Sequence, residues 1–157
     1  MNIIVCCKQI LDPEAPPASF GIDASANEVI PPPDMSPVIS PFDEQALEAA
    51  LRIKDDQEAR ITVITQGVGL LPPVVKKALA LGADELILLE DEAFDGGDSW
   101  STAYALAMAI KKVGDVDLVL CGRQAADWDN GQVAAGITEI LGLPCVTLVK
   151  KIDITDR

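Results

Sequence analysis

Histidine is missing from this 157-residue chain altogether, and aromatic side chains make up only 4% of it. Without an imidazole there is no Ser-His-Asp or Cys-His nucleophile pair, no histidine general base and no His-ligated zinc. The commonest hydrolase and metalloenzyme designs are therefore excluded. Basic side chains are scarce too: 12 Lys and Arg stand against 25 Asp and Glu, a formal net charge of −13. A phosphate footprint on DNA, RNA or anionic lipid needs clustered Lys and Arg, so neither nucleic acid nor a membrane surface is an expected partner. No run reaches the roughly 18 apolar residues of a membrane span. Met1-Asn2 leads straight into Ile3-Ile4-Val5 with no basic leader, which reads as a cytoplasmic protein. The four cysteines, Cys6, Cys7, Cys121 and Cys145, form no C-x-x-C pair. They read as small buried hydrophobes in a reducing compartment, with Cys6 and Cys7 on opposite faces of a strand.

What the chain does hold is a core-forming 49% of hydrophobic residues, expected to fold as a single domain over residues 1–157. Five β-prone runs stand out: Ile3 to Cys7, Ile61 to Thr65, Glu85 to Leu89, Val116 to Cys121 and Cys145 to Val149. They are continuously apolar rather than alternating, as strands of a parallel sheet covered on both faces must be. Helical patterns separate them. Ser40-Pro41-Phe42-Asp43 opens the first, with Ser as N-cap, Pro at the first helical position and an acid in the first turn. Ala46, Leu47, Ala50 and Ile53 then form its inward stripe to about Asp55. A second begins near Pro72-Pro73. A third, capped by Ser99 or Ser101, turns Ala103, Tyr104, Ala107 and Ile110 inward, and a fourth covers Val133 to Leu141. Gly82, Gly114 and Gly142, 32 and 28 residues apart, each follow an apolar-periodic segment and precede the next strand by four residues. That offset predicts one helix-to-strand turn used three times. The expected fold is α/β, an open parallel sheet of about five strands with helices on both faces.

One connection breaks the rhythm. Between Cys7 and Ser40 the chain makes a Pro-rich excursion over about residues 8–39, the mark of a functional loop or small hairpin. In open α/β sheets ligands sit beyond the strand tips where the winding reverses, so the loops after the first and fourth strands are the places to search. After the fourth comes Gly122-Arg123-Gln124-Ala125-Ala126-Asp127-Trp128-Asp129-Asn130-Gly131-Gln132 and then a helix start. Gly122 and Gly131 permit close backbone approach or positive φ, the helix start offers unpaired N–H groups to a phosphate, and Arg123, Gln124 and Gln132 add polar handles. An ordinary βα loop capped by Asp129 or Asn130 accounts for the same residues. The oxygens of 127–130 lack EF-hand spacing, so no metal site is expected. Gly67-Val68-Gly69 reads as a tight turn, because Pro72 replaces the third glycine of a dinucleotide fingerprint. Asp95-Gly96-Gly97-Asp98-Ser99 reads as a turn and cap. Lys8 either meets a phosphate or carboxylate or is simply solvated. Trp100 and Trp128 cover a ligand ring or partner surface, or pack in the core.

Four blocks together carry a resemblance: Val5-Cys6-Cys7-Lys8-Gln9, the helix start Ser40 to Glu48, Ala78 to Asp84, and Asp117 to Asp127. In order and spacing they resemble the beta subunit of electron-transfer flavoproteins. The resemblance implies a Rossmann-like, adenine-nucleotide-binding α/β domain. It implies a heterodimer with an alpha subunit whose FAD exchanges electrons with flavin dehydrogenases, the beta subunit itself holding AMP or, in bifurcating members, a second FAD. By the family pattern the nucleotide contacts fall on Cys6, on Ser40, Pro41, Phe42 and Asp43, on Gln66, and along Gly122, Arg123, Gln124, Ala125, Asp127, Asn130, Gly131, Gln132 and Val133. The stretch from Ala93 to Thr102 looks like a loop of bifurcating-type members that helps to hold FAD, which adds Asp98 and Thr102 and favours FAD over AMP. The sequence departs from the family where Ser40 replaces the usual Asn, and where Trp128, Asn130 and Gly131 alter the nucleotide loop. Family subunits also continue well past Arg157, so the chain reads as a fragment or a shortened relative. Two other readings share the fold. A universal-stress-type nucleotide sensor would need a second loop glycine where Ala125 stands, and an ATP-pyrophosphatase-type ligase would need a phosphate loop after the first strand.

Overall fold

The computed structural model describes residues 1–155; Asp156 and Arg157 fall outside the described residues. Its strands are β1 (Asn2–Cys7), β2 (Gln9–Ile10), β3 (Gly21–Asp23), β4 (Glu28–Ile30), β5 (Val38–Ile39), β6 (Arg60–Gly67), β7 (Glu85–Glu90) and β8 (Leu118–Cys121). Its helices are α1 (Pro41–Asp56), α2 (Pro72–Val75), α3 (Lys77–Leu81), α4 (Ser99–Val113) and α5 (Val133–Leu141). The main sheet is parallel, in the order β7-β6-β1-β8. The excursion forms two short antiparallel pairs, β2 with β5 and β3 with β4.

Both faces of the sheet are covered, as the unbroken apolar runs require. Ile3, Val5 and Cys7 of β1 point into a layer built with Leu47, Ala50 and Ile53 of α1 and Ala78 of α3. Ile4 and Cys6 point the other way, against Ala103, Leu106 and Ile110 of α4 and Ile137 of α5. Adjacent cysteines therefore serve opposite layers. Burial raises the Cys7 thiol well above its ordinary value, helped by the nearby Asp43 charge. A hydrogen bond with Cys121 and burial raise Cys6 likewise. Both side chains are chemically quiet packing groups.

The α1 stripe is the one read from sequence, and Gly82, Gly114 and Gly142 end α3, α4 and α5 with φ of 125°, 70° and 66°. Several details differ. The sheet has four strands: residues 145–149 pair with nothing among the described residues, Leu148 has φ of 55°, and Val146 and Leu148 are 81% and 79% exposed. Apolar and β-branched character cannot hold a strand without a ladder partner. Cys145 is consequently exposed rather than buried. The second helix is split at Lys76, whose carbonyl still accepts the Ala80 N–H at 3.2 Å. Helix α4 is capped by Asp98, which accepts the Ser101 N–H at 2.8 Å, and not by a serine. A carboxylate at that position satisfies the free amide and the positive end of the helix together, and the Ser101 amide holds its pKa below the ordinary value. Tyr104 faces solvent, since Leu106 takes the inward position.

Leu47 is fully buried at the centre of the α1 layer. Leu47→Ala should lower the unfolding free energy by about 2–5 kcal/mol in urea titration; a loss under about 1 kcal/mol would contradict this layer's role in seating α1.

Candidate functional site

The chain runs from β1 outward to β6 and β7, then returns across the sheet to β8 on the other side of β1. The winding thus reverses between β1 and β8, whose tips carry Cys6 and Cys121 as register partners. This is the position at which open α/β sheets leave a cleft.

Asp43, in the first turn of α1, spans that cleft. One carboxylate oxygen accepts the Lys8 N–H at 2.9 Å and the other accepts the Gly122 N–H at 3.1 Å, so one side chain ties the exits of β1 and β8. Asp43 is only 9% exposed, and burial pushes its carboxyl up to about 6, against the opposing pull of the Lys8 and Gly122 amides, the nearby Ser40 hydroxyl and the Lys8 charge. Gly122 is sterically required: a Cβ there would meet Asp43 Oδ1, and would lie 2.8 Å from the Phe42 carbonyl carbon and 2.9 Å from the Asp43 nitrogen.

Ser40 stands at the N-cap of α1, but its backbone does the work. Its carbonyl accepts the Asp43 and Glu44 N–H groups at 2.9 and 3.0 Å, and its own N–H donates to the Lys8 carbonyl at 2.9 Å. Its hydroxyl is fully buried near Asp43 without a well-formed hydrogen bond, in place of the capping bond expected from sequence. At the tip of β6, beside β1, Gln66 Oε1 is likewise buried and unpartnered among the described residues. Two buried polar atoms without well-formed hydrogen bonds, one at the α1 start and one at the β6 tip, are costly unless something bonds them. Beside them Arg123 lays its guanidinium over the Phe42 ring, 4.7 Å from the centroid.

The loop from Gly122 to Gln132 is folded on itself. The Ala125 N–H donates to the Asn130 carbonyl at 3.0 Å, the Asp129 N–H to the Ala125 carbonyl at 2.9 Å, and Gln124 Nε2 to Asp129 Oδ1 at 2.7 Å. Lys8 Nζ reaches Asp127 Oδ2 at 2.7 Å, fastening the loop to the β1 exit. Gly131 permits close approach, since a Cβ there would stand 3.3 Å from the Arg123 carbonyl, and its φ is not positive. Gln132 precedes Val133 and α5, and no side chain caps that helix, so neither Asp129 nor Asn130 serves as its cap. Its first amides are open to an acceptor.

The fold therefore gathers Cys6, Ser40, Pro41, Phe42, Asp43 and Gln66 with the segment Gly122 to Val133 around the β1–β8 reversal. Asp98 and Thr102 do not join it through any hydrogen bond among the described residues. They open α4 after edge strand β7, and the Asp98 side chain is committed to capping. Two further residues enter the site. Lys8, read from sequence as meeting a phosphate or carboxylate or as simply solvated, meets the Asp127 carboxylate. Gln9 accepts the Leu71 N–H at 2.8 Å and donates to the Gly69 carbonyl at 3.1 Å, holding the turn after β6 against the β1 exit, and no sequence signal marks that role. Trp128, 70% exposed, and Trp100, 57% exposed, lie on the surface rather than in the core.

An adenine nucleotide or flavin dinucleotide fits this chemistry. Gly131 permits close approach to the loop backbone, Arg123 and the α5 start offer positive ends for phosphoryl groups, and the buried Ser40 and Gln66 atoms lack well-formed hydrogen bonds among the described residues.

Comparison with known proteins adds an independent line. Residues 36–157 match the electron transfer flavoprotein domain. The chain is 42% identical, over its whole length, to the caffeyl-CoA reductase-Etf complex subunit CarD of Acetobacterium woodii. It is 42% identical, over 98% of its length, to the electron transfer flavoprotein subunit beta of Clostridium acetobutylicum, and 36% identical, over 97%, to the protein FixA of Azotobacter vinelandii. It spans 58%, 57% and 53% of those three relatives, little more than half of each.

The Asp43 tie makes two predictions. Gly122→Ala forces Asp43 or the α1 start to move, and should cost about 2 kcal/mol or more in unfolding free energy; an unchanged urea midpoint would show that the tie is dispensable. The second concerns pH. Because the native carboxyl keeps its proton up to about pH 6, against an ordinary 3.8, its contribution favours the native state at low pH and is lost as pH rises through that window. Relative to Asp43→Asn, which does not titrate, the wild-type chain should lose up to about 3 kcal/mol of stability from pH 3.5 to 6.5. A stability difference that is flat across that range refutes the assignment.

Proposed function

The chain belongs to the electron transfer flavoprotein family, among relatives named as beta subunits and FixA proteins, and from that premise we propose that it holds an adenine nucleotide at the β1–β8 tips. We infer FAD as the ligand, with AMP as the alternative occupant of the same place. The observation that carries the reading is the Asp43 tie with its surroundings: two strand exits fixed by one buried carboxylate, beside the buried Ser40 hydroxyl and Gln66 Oε1, which make no well-formed hydrogen bond among the described residues. A site so built is suited to holding a ligand.

Each residue then has a binding task. The amides of the loop and of the α5 start meet phosphoryl oxygens, and Arg123, braced on Phe42, adds a fixed positive charge. Ser40 and Gln66 complete polar contacts to the nucleoside. Lys8 and Asp127 hold the loop against the β1 exit. A bound flavin supplies one- and two-electron chemistry from its own ring system, and the protein's part is to orient it and keep water from its buried contacts. The electron-transfer role is shared with an alpha subunit, in a heterodimer that takes electrons from flavin dehydrogenases in the cytoplasm. Among the described residues no helix is long and apolar enough to cross a membrane.

The direct test is a visible absorption spectrum of the purified protein with its alpha subunit, followed by mass spectrometry of the ligand released on heating. Two FAD per heterodimer are expected; one FAD and one AMP would shift the occupant to AMP, and ATP or no nucleotide at the beta site would point to a sensor instead. Arg123→Gln should weaken nucleotide binding roughly 10- to 100-fold, the worth of a charged hydrogen bond, while the far-ultraviolet dichroism stays unchanged. Unaltered affinity in that variant would remove Arg123 from the site.

A further inference from the structure

The β3–β4 hairpin belongs to no part of the machinery above. Its extensive packing is between its own two strands, outside the two layers that cover the main sheet. Ile22 and Val29 lie directly opposite one another in register and so share a face, where they are 80% and 49% exposed; Ile30, paired with Gly21, is 51% exposed on the other face. An isolated two-stranded hairpin is marginal in water, and an exposed aliphatic pair across its centre gains nothing there. Its tip is nonetheless carefully made. Asp23 Oδ1 accepts the Ser25 and Ala26 N–H groups at 2.8 and 3.1 Å, and Asn27 adopts φ of 57°. Such a defined turn on an unsupported hairpin marks a presented element.

Charge says what it is presented to. Between Lys8 and Arg52 there is no Lys or Arg, while residues 9–39 alone carry five acids: Asp12, Glu14, Asp23, Glu28 and Asp34. The same excursion contains a concavity of about 480 Å³, with Asp12 and Asp34 among apolar Pro16, Pro32, Met35 and Val38. A wholly acidic excursion that offers aliphatic contact and a carboxylate-lined groove is complementary to a surface that is basic and apolar at once. It repels a second copy of this acidic chain.

We propose that the β3–β4 hairpin and its adjoining acidic groove form a docking surface for a basic, apolar patch on the alpha subunit, with Ile22 and Val29 as the buried contact and Asp12 and Asp34 receiving a Lys or Arg side chain. This rests on the heterodimer reading above. The test uses the complete gene product and the alpha subunit of its own organism, and measures their association and the nucleotide content separately. Ile22→Asp with Val29→Asp should raise the dissociation constant roughly tenfold or more. Asp34→Lys should slow association several-fold and flatten its dependence on salt. In both variants nucleotide stoichiometry and helical content should match the wild type. Association unchanged in both variants overturns the inference and leaves the heterodimer standing. A wild-type chain that binds nucleotide but no alpha subunit overturns the inference and the heterodimer, and leaves the nucleotide site intact.

Discussion

Everything at the carboxyl end of the sheet depends on one buried carboxylate shared between two amides. Asp43 reaches Lys8 on one side and Gly122 on the other, and these amides belong to strands that meet only because the winding reverses between them. Burial opposes the charge, and the raised carboxyl shows that the desolvation cost outweighs the pull of the two amides. The arrangement survives because α1 is anchored elsewhere. Leu47, Ala50 and Ile53 seat the helix on the sheet, and Ser40 ties its start back to the Lys8 carbonyl. The carboxylate is thus delivered to its place by packing and held there by geometry.

From this tie the glycine at position 122 follows, since any Cβ would occupy the space of the carboxylate it serves. So does the course of the loop, which leaves β8 directly over the α1 start and brings Arg123 onto the Phe42 ring. A chain without histidine has few side chains suited to proton transfer near neutral pH, and this one builds its cleft from backbone amides, amide side chains and a guanidinium. Such groups recognise and orient.

Much of this was legible before any coordinates. The doubly covered strands showed as unbroken apolar runs, and the three helix ends showed as glycines of positive φ; but their ψ values of 7°, 170° and 33° make three different turns rather than one used three times, and the third leads to no strand. The cleft was legible as topology, from the long connection after β1 and the odd loop after β8. What failed was what depends on a partner. Residues 145–149 carry strand composition, yet a strand is made by its neighbour, and none pairs with them here. Ser40 has the right identity and place for a cap, but the α1 start bends its carbonyl rather than its hydroxyl toward the free amides. Asp98, one position before Ser99 and three before Ser101, takes the capping task with a charge. The role of Gln9, quoted only as the end of the first family-like block, was not legible, because its two hydrogen bonds go to residues 60 and 62 positions away.

The charge of the chain sharpens the argument about the cleft. A net −13 disfavours any anion approaching from afar, so a phosphoryl group can be held only by fields that act over short distances. At physiological ionic strength, screening sets that distance at about 8 Å, within which the nearest groups decide. Those groups are not uniformly acidic. Arg123 is braced by an aromatic face, and Asp127 is engaged by Lys8. Asp129 is drawn inward by Gln124, and Asp43 spends its charge on two amides. Each of these acids has a bonding partner, while the α5 start carries no side-chain cap and keeps the positive end of its helix. An acidic protein can thus present a site of the opposite sign, provided that every carboxylate around it is bonded elsewhere.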